Sequence, residues 1–310
     1  MKKKILTTTI LALLVSPVFA ADKVPADILD LSCWKISLPI DSGDGFATTV
    51  EEKALTDGFV DSDNFYVNEA GDGVVFSSPV KSVTTSKNTT YTRSELHEMG
   101  RCSDTSISPY GVGEDGKRAI NKNNWVFGSS PEAAQEIASG VNGTMDAVLS
   151  VDQVAEGGEI WQQGRVIVGQ IHANDDEPAK LYYRKLPNHE QGSVWLVHET
   201  NGGDETTYPM VGNNIPDYYT QDGEAIEPTD GIKLGEKWGY QIKSVDNELT
   251  VTIRREGKDD IVQVVDMSDS GYDDGEQYMF FKAGLYHVNR SGAPEDRAAV
   301  TFYDLQVSHD

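Results

Sequence analysis

The stretch YMFFKAGLYHVN, residues 278–289, alternates apolar side chains with polar or aromatic ones. In a β-strand, successive side chains point to opposite faces of the sheet. One face is uniformly apolar and is predicted to be buried: Met279, Phe281, Ala283 and Leu285. The other face carries aromatic rings beside a lysine: Tyr278, Phe280, Lys282, Gly284 and Tyr286. Such rings suit a sugar-binding groove, although a covering loop could bury them equally well.

Short alternating segments of this kind recur along the chain, separated by Gly, Asn and Asp turns. They predict strands at 34–38, 73–76, 91–99, 124–127, 146–151, 165–172, 180–186, 194–198, 238–245, 248–254, 278–289 and 299–308. Helical patterns are few, and we expect one helix over residues 130–137. No linker or internal repeat divides residues 21–310. We therefore expect a single domain, folded as an all-β sandwich.

The first 20 residues have the pattern of a secretory signal peptide. Lysines at positions 2–4 precede an apolar run from Ile5 to Val15, and Ala20 and Ala21 provide small residues for cleavage. A membrane anchor would need about 20 apolar residues, more than this run contains. We expect cleavage after Ala20, a secreted protein of the periplasm or the medium, and no membrane attachment after cleavage.

The chain is strongly acidic, with a formal net charge of -24. Signal cleavage would remove three lysines and make the net charge more negative still. This charge argues against nucleic acid as a partner because phosphate binding needs a basic surface. An anionic substrate would require the few cations to be gathered in one cleft, with the carboxylates elsewhere.

Cys33 and Cys102 are the two cysteines of the chain. In an exported protein, such a pair forms a disulfide more often than it remains as two buried thiols. No Cys or His cluster with zinc spacing accompanies it, so the sequence favours a disulfide over a metal site.

Two segments interrupt the strand pattern. Residues 202–229 are acidic and rich in Gly, Pro, Asn and Tyr, which predicts a surface loop that either covers a site or is a plain excursion. Residues 174–178, with the sequence NDDEP, predict a solvated hairpin turn, with a calcium site as the alternative.

Two more predicted strands, 91–97 and 166–172, each place polar side chains on one face. These polar residues are Arg93, Glu95 and His97 on the first strand, and Gln170 and His172 on the second. Ile167 and Ile171 are assigned to the core face of the second strand. Taken singly, each segment is equally compatible with a solvent-exposed ion pair or a surface histidine.

Three segments, in this order, resemble the signature strands of the family 7 polysaccharide lyases, the alginate lyases. They are Arg93-Ser94-Glu95-Leu96, Gln170-Ile171-His172 and residues 278–286. Residues 34–39, 123–125 and 300–305 are also similar, so the resemblance covers nearly all of the mature chain. It implies a jelly roll of two antiparallel sheets with a concave substrate groove. It further implies a secreted alginate lyase that requires no metal or other cofactor.

The chain departs from the family pattern at three places. His97 stands where the family often has Arg, and His287 stands where it often has Asn. Phe280 and Phe281 stand at two adjacent positions where the family usually has one Phe together with either Tyr or Phe. The first two departures bear on subsite preference and leave the reaction type unchanged.

The resemblance implies β-elimination at a uronate, with four catalytic residues. Arg93 and Gln170 neutralise the sugar carboxylate so that the C5 proton can leave. Tyr286 donates a proton to the departing O4, and for mannuronate it could also take the C5 proton, if cationic neighbours favour its phenolate. His172 either completes the carboxylate clamp or acts as the base, the arrangement that suits guluronate.

Six further side chains are expected to contact the substrate or to orient catalytic groups: Glu95, His97, Tyr278, Lys282, Arg165 and Arg184. Glu95 is expected to orient Arg93, and the lysine and the two further arginines are expected to bind carboxylates at neighbouring subsites. The resemblance associates Ile171 with activity on guluronate-containing blocks. We expect a monomer that cuts within the polysaccharide chain.

Three other functions fit part of the pattern. A lyase for another polyuronate, such as a glucuronan, would use the same sandwich. A carbohydrate-binding module would not need acid and base groups together. A glycoside hydrolase would need two carboxylates flanking the bond, and Glu95 has no evident acidic partner in these strands.

Overall fold

The alternating segments form the strands of two antiparallel sheets. The structure is a computed structural model that describes residues 23–113, 116–212 and 227–310. The strands are β1 (Trp34–Asp41), β2 (Ala47–Val50), β3 (Phe65–Val67), β4 (Val74–Pro79), β5 (Arg93–Glu98), β6 (Gly111–Val112), β7 (Arg118–Ala119), β8 (Gly143–Gln153), β9 (Arg165–His172), β10 (Ala179–Arg184), β11 (Gln191–Glu199), β12 (Glu205–Val211), β13 (Ile232–Lys233), β14 (Trp238–Val245), β15 (Glu248–Arg255), β16 (Ile261–Asp266), β17 (Phe280–His287) and β18 (Arg297–Ser308). The helical segments are α1 (Glu52–Thr56), α2 (Glu132–Ile137) and the 3₁₀ turns Pro25–Asp27 and Ile160–Gln162.

The larger sheet, called the groove sheet below, has the strand order β12-β11-β10-β9-β17-β5-β1-β2, with β13 paired to β11. The second, called the outer sheet, has the order β16-β15-β14-β8-β18-β4-β3, and β6 and β7 form a separate antiparallel hairpin. Strands far apart in sequence become neighbours, such as β5 and β17, and these pairs are antiparallel. The predicted jelly-roll sandwich is therefore confirmed, and its long-range pairings bring the three motif strands together.

The core between the sheets holds the apolar face of 278–289, as the alternation predicts. Phe281 packs against Trp125, with ring centroids 5.0 Å apart, and both side chains are fully buried. The same cluster contains Met279, Ala283 and Leu285. Burying one such ring stabilises the fold by about 1.5–3 kcal/mol, and truncating it to Ala would cost about 3–5 kcal/mol. The inner face thus anchors β17 in the core, and the side chains of its outer face are available for a functional site.

A β-bulge in β9 alters which side chains face the groove. The pairing of β9 with β10 shifts register at Val168, so that Val168 and the following Gly169 both face the core. A Cβ atom on Gly169 would lie 2.6 Å from the Tyr240 hydroxyl, which donates to the Val168 carbonyl. The assignment of Ile167 to the core face was therefore wrong, because Ile167 packs beside Tyr286 on the groove side.

The predicted strands agree with the structure within a few residues except at 124–127, and the prediction missed seven strands: β2, β3, β6, β7, β12, β13 and β16. Residues 124–127 form only isolated bridges, from Trp125 to Met279 and from Val126 to Val141. A surface loop was predicted over 202–229, and this prediction was wrong for Glu205–Val211. Those residues form β12, which pairs with β11 as an edge strand of the groove sheet. Residues 213–226 of that segment lie outside the described residues. The predicted helix is present as α2, directly after Pro131.

The predicted disulfide is present between Cys33 and Cys102, with an S–S distance of 1.99 Å. It ties the residue before β1 to the turn after β5, two neighbouring strands of the groove sheet. In the part of the chain that the structure describes, no helix is long and apolar enough to span a bilayer. The predicted signal peptide, residues 1–20, lies outside that part.

Candidate active site

A groove of about 500 Å³ runs over the exposed face of the groove sheet. Six of the predicted site residues line it: Arg93, Glu95, His97, His172, Tyr278 and Lys282. Gln170 and Tyr286 lie against these residues, through the contacts given below. The register explains the grouping, because Lys282 lies opposite both His97 and Gln170 on the flanking strands. The long-range pairing of β5, β17 and β9 therefore gathers all four predicted catalytic residues in one place.

The centre of the groove is a cluster of Arg93, Glu95, Gln170 and Lys282, called the central cluster below. Arg93 donates to a Glu95 oxygen at 2.7 Å, the Lys282 ammonium lies 3.4 Å from the same oxygen, and Gln170 donates to the other. Burial raises the pKa of Glu95, but Lys282, Arg93 and the hydrogen bond from Gln170 lower it by more than burial raises it. The net pKa is below the ordinary value, so the carboxylate is ionised. Glu95 thus contacts three donor side chains at once, and its orienting role stays a prediction.

Lys282 has an unusual environment for an ammonium group. Burial and the neighbouring Arg93 lower its pKa to about 8, and Glu95 opposes this shift. Lys282 is therefore still mainly protonated at neutral pH, although its pKa is only about one unit above that pH. A second carboxylate arriving in the groove would favour the charged form further.

Tyr286 lies beside the central cluster, with the Arg93 guanidinium 3.9 Å from the centre of its ring. Its ring also meets Tyr91 edge to face, at 5.9 Å between centroids. Burial raises the pKa of Tyr286, and the opposing effect of Arg93 does not outweigh it. The predicted condition that cationic neighbours favour the phenolate is thus not met in this structure. Tyr286 is a neutral phenol, suited to donating a proton.

His172 follows Gln170 on the groove face at the end of β9, and its ring stacks on Phe280 at 4.9 Å. Burial and then Lys282 lower the pKa of His172 to about 3, so the imidazole is neutral at pH 7. Both ring nitrogens face oxygens that only accept, and we assign the proton to Nδ1 because its 2.5 Å contact with the Ala173 carbonyl is the shorter of the two. Nε2 is then unprotonated and can accept a proton. Glu177 lies 3.3 Å from this nitrogen.

The other side of Phe280 leads to His97 and Tyr278. His97 stacks on Phe280 at 3.9 Å, and burial, Lys35 and Lys282 hold its pKa well below 6.5, so it is neutral. Tyr278 packs under residues 120–141 and is buried, as the covering-loop alternative allowed. Burial raises the pKa of Tyr278, and the nearby Arg118 opposes the shift. These residues form one wall of the groove.

Arg165 and Arg184 lie apart from the central cluster, side by side on β9 and β10. Both are buried beneath the turn at residues 160–163. Arg165 donates to the Trp161 carbonyl, and Arg184 donates to those of Ile160 and Gln163. Neither lines the groove described above. These contacts fit a structural role, in contrast to the expected binding of a sugar carboxylate.

The structure adds residues that the sequence did not identify: Lys35, Tyr110 and Arg118 line the groove, and Glu177 and Lys180 lie beside His172 and Gln170. Lys35 and Lys180 lie between core residues on predicted strands, so the alternation of side chains could have assigned both to the groove face. The other three come from loops or from the β6–β7 hairpin, where no local pattern marks them. Lys180 is surrounded by carboxylates, at 2.7 Å from Glu199 and 3.5 Å from Glu177.

The segment 174–178 forms the connection between β9 and β10, as predicted. Asp176 accepts a hydrogen bond from the Gly202 amide, and Glu177 faces His172 and Lys180. Within the described residues, no group of three or more His, Cys, Asp or Glu side chains is arranged to hold a metal ion.

Comparison with known proteins identifies the family. The alginate lyase family profile matches residues 29–309. A Klebsiella pneumoniae alginate lyase is 49% identical over 296 residues, which cover 94% of each chain. A crystal structure of the alginate lyase from Klebsiella pneumoniae superposes with a TM-score of 0.88, at 49% identity, over 93% of this chain and 99% of that one. Alginate lyase A1-II′, a member of polysaccharide lyase family 7, shares the fold, with a TM-score of 0.64 at 24% identity over 93% and 99% of the two chains. This chain belongs to the alginate lyase family, polysaccharide lyase family 7.

Proposed function

We propose that this enzyme degrades alginate by β-elimination, cutting within the chain and leaving an unsaturated uronate at each new non-reducing end. The observation that carries the proposal is the meeting of Arg93, Gln170, His172 and Tyr286 around one buried carboxylate, Glu95. The name of the 49% identical relative, alginate lyase, supports alginate as the substrate.

The first step is neutralisation of the uronate carboxylate next to C5. An ionised carboxylate resists formation of a second negative charge on the adjacent carbon. Arg93 supplies charge and paired donors, and Gln170 supplies a further hydrogen bond. Their contacts with Glu95 support this step, because side chains already held in position lose little freedom when substrate binds.

The second step moves two protons. His172 Nε2 takes the C5 proton, the C5 electron pair forms the C4–C5 double bond, and the C4–O4 bond breaks. Tyr286 gives its phenolic proton to O4, and solvent later restores both groups. His172 is unprotonated and so available to take a proton, and the raised pKa of Tyr286 keeps its phenol protonated, which together support this division of roles. The negative charge of the bound uronate would offset the low basicity that Lys282 imposes on His172.

The same division supports a weak preference for guluronate-containing blocks. In guluronate the C5 proton and the leaving oxygen lie on opposite sides of the ring, so separate base and acid groups are needed. For mannuronate, Tyr286 would have to serve as both, which its raised pKa disfavours. Ile171 is fully buried in the core, so any influence it has on this preference is indirect.

The test is to incubate the purified protein with poly-guluronate and poly-mannuronate in the presence of a chelator. We expect the ultraviolet absorbance of the unsaturated uronate to rise on both substrates, faster on poly-guluronate, with early products of mixed length. New reducing ends without the chromophore would indicate hydrolysis and contradict the proposal. No change on either polymer would favour a binding module, and activity on glucuronan alone would favour the other polyuronate.

We also propose that residues 1–20 are removed on export and that the mature enzyme acts as a monomer. The lysines and apolar run at the N-terminus support export. The intact mass of protein recovered outside the cytoplasm should correspond to a chain that starts at Ala21. Light scattering should give the mass of one chain, and a dimer mass would contradict the monomer.

A further inference from the structure

The register of the groove sheet places four polar side chains in one row across the strands. Lys35 on β1 lies opposite His97 on β5, which lies opposite Lys282 on β17, which lies opposite Gln170 on β9. Neighbouring strands are about 4.8 Å apart, so Lys35 is about 10 Å from Lys282 along this row. The row therefore leads from the central cluster to a second cation at the β1 side of the groove.

The β1 side of the groove holds Lys35, Tyr110 and Arg118, called the distal cluster below. The Lys35 ammonium lies 3.4 Å from the Tyr110 hydroxyl and 5.1 Å from the centre of its ring, and the Arg118 guanidinium lies 4.0 Å from that centre. All three side chains line the groove. Tyr110 thus holds two cations together, one on the sheet and one on the hairpin.

Neither cation forms a salt bridge with a carboxylate among the described residues; Glu51 acts on Lys35 only at longer range, and Asp175 lines the same groove. Lys282 lies 3.4 Å from Glu95, and Lys180 lies 2.7 Å from Glu199, but no such contact occurs at Lys35 or Arg118. This is unusual in a chain with a net charge of -24. It leaves positive charge facing the groove at a place where a carboxylate could bind without displacing one of the protein's own.

The neighbouring residues do not supply this charge. His97 is neutral because burial, Lys35 and Lys282 depress its pKa. Tyr278 is a neutral phenol beside Arg118, and its pKa is raised by burial. A small recess of about 20 Å³ beside the groove is lined by Tyr110, Arg118, Tyr278 and His97. Positive charge on this side of the groove therefore comes from Lys35 and Arg118.

We propose that the distal cluster is a second carboxylate-binding subsite, which holds a uronate about two sugar units from the one bound by Arg93. This inference rests on the proposed function, since it needs an anionic polysaccharide that runs across the strands. Lys35 and Arg118 bind the uronate carboxylate, and the Tyr110 ring, 39% exposed, provides an apolar surface for the sugar. The subsite serves substrates long enough to reach it, and it favours long chains over short ones.

The test compares Lys35→Met and Arg118→Gln with the wild-type enzyme on a uronate trimer and a uronate octamer. The measured quantity is kcat/KM for the octamer divided by kcat/KM for the trimer. We expect each variant to lower this ratio roughly tenfold, because one charge-assisted contact is lost, mainly through a higher KM for the octamer. Lys243→Met, an exposed lysine on the outer sheet, is the control for loss of one charge and should leave the ratio unchanged.

The outcomes separate this inference from the proposed function. If the wild-type enzyme forms no unsaturated product from alginate, the proposed function fails first. If it is active but both variants keep the wild-type ratio, or lose activity equally on both lengths, the distal subsite is contradicted. Arg118 lies on the exposed hairpin, so its variant tests the inference even if Lys35→Met, at a buried position, fails to fold.

Discussion

The two faces of β5 and β17 make a direct comparison. On the groove face, Glu95 binds Arg93, Lys282 and Gln170, and Tyr286 lies against Arg93. On the core face, three residues further along β5, Glu98 accepts hydrogen bonds from the Trp125 indole, the Phe281 amide and His309, at 3.0, 2.9 and 2.6 Å. His287, next to Tyr286, donates to the Ser78 carbonyl.

The comparison shows that burial of a carboxylate does not by itself mark an active site. Glu98 is surrounded by partners that belong to the fold: a core ring, a strand amide and a residue at the C-terminus. Glu95 is surrounded by side chains that keep donors or charge available to a ligand. The two cations beside Glu95 outnumber it, so the groove face is prepared for a further anion, whereas the core face is complete.

Removal of the Tyr286 hydroxyl should have the largest effect on the groove face. We expect Tyr286→Phe to lower kcat by roughly 10³-fold or more, because no acid remains to protonate O4. Its free energy of unfolding should change by less than about 1 kcal/mol. Initial rates and urea unfolding would measure both. Tyr66→Phe, on the outer sheet, is the matched control, and a Tyr286→Phe variant with more than a tenth of wild-type turnover would contradict the assigned role.

Removal of the Glu98 carboxylate should have the largest effect on the core face. Glu98→Ala leaves the Trp125 indole, the Phe281 amide and His309 without their acceptor, and we expect a loss of about 3 kcal/mol in the free energy of unfolding. Urea unfolding measures this loss. The exposed Glu276→Ala is the control and should cost less than about 0.5 kcal/mol. An equally small cost at Glu98 would mean that its contacts do not stabilise the fold.

Glu95→Gln keeps the size of the side chain but removes its charge from the groove face. We expect kcat to fall roughly 10²-fold, because Arg93 and Gln170 lose the partner that positions them. KM should not rise, since the remaining cations still attract an anionic sugar. The loss of stability should be smaller than for Glu98→Ala, because the groove can be hydrated. A higher KM with unchanged kcat would overturn the positioning role.

His287 should give the smallest effect, confined to acid conditions. Burial lowers its pKa to about 4, against about 6.5 in the unfolded chain. The neutral form therefore stabilises the fold fully above pH 6.5, and this contribution is lost as the pH falls through 4. At pH 5 we expect His287→Asn to recover about 2 kcal/mol of the stability that the wild type loses between pH 7 and pH 5. Equal losses in both proteins would contradict this.

The fold was largely predictable because alternation reports which face of a strand is buried. The bounds of β9 and β14 were predicted to the residue, and so was the buried face of β17. Ile167 was assigned to the wrong face because the bulge at Val168 and Gly169 depends on packing against Tyr240, which lies in the other sheet. The strand β12 was missed because its exposed residues, Glu205 to Thr207, are polar at an edge.

The candidate site was predictable where it lies on strands. Arg93, Glu95, Gln170, Lys282 and Tyr286 were identified from alternation and from the family resemblance, and the structure brings them together. Two members of the distal cluster, Tyr110 and Arg118, could not be predicted, because their approach to the groove depends on tertiary contacts, whereas Lys35 lies on a predicted strand and was overlooked. Arg165 and Arg184 were expected in the groove because charge is visible in a sequence, whereas the turn that covers them is not.

The central claim is that the groove face eliminates a sugar without adding water across the bond. The direct test is the mass of the two products from a defined uronate oligomer cut once by the wild-type enzyme. We predict product masses that sum to the mass of the intact oligomer, with the double bond in the fragment that carries the new non-reducing end. A sum larger by one water molecule would contradict the claim.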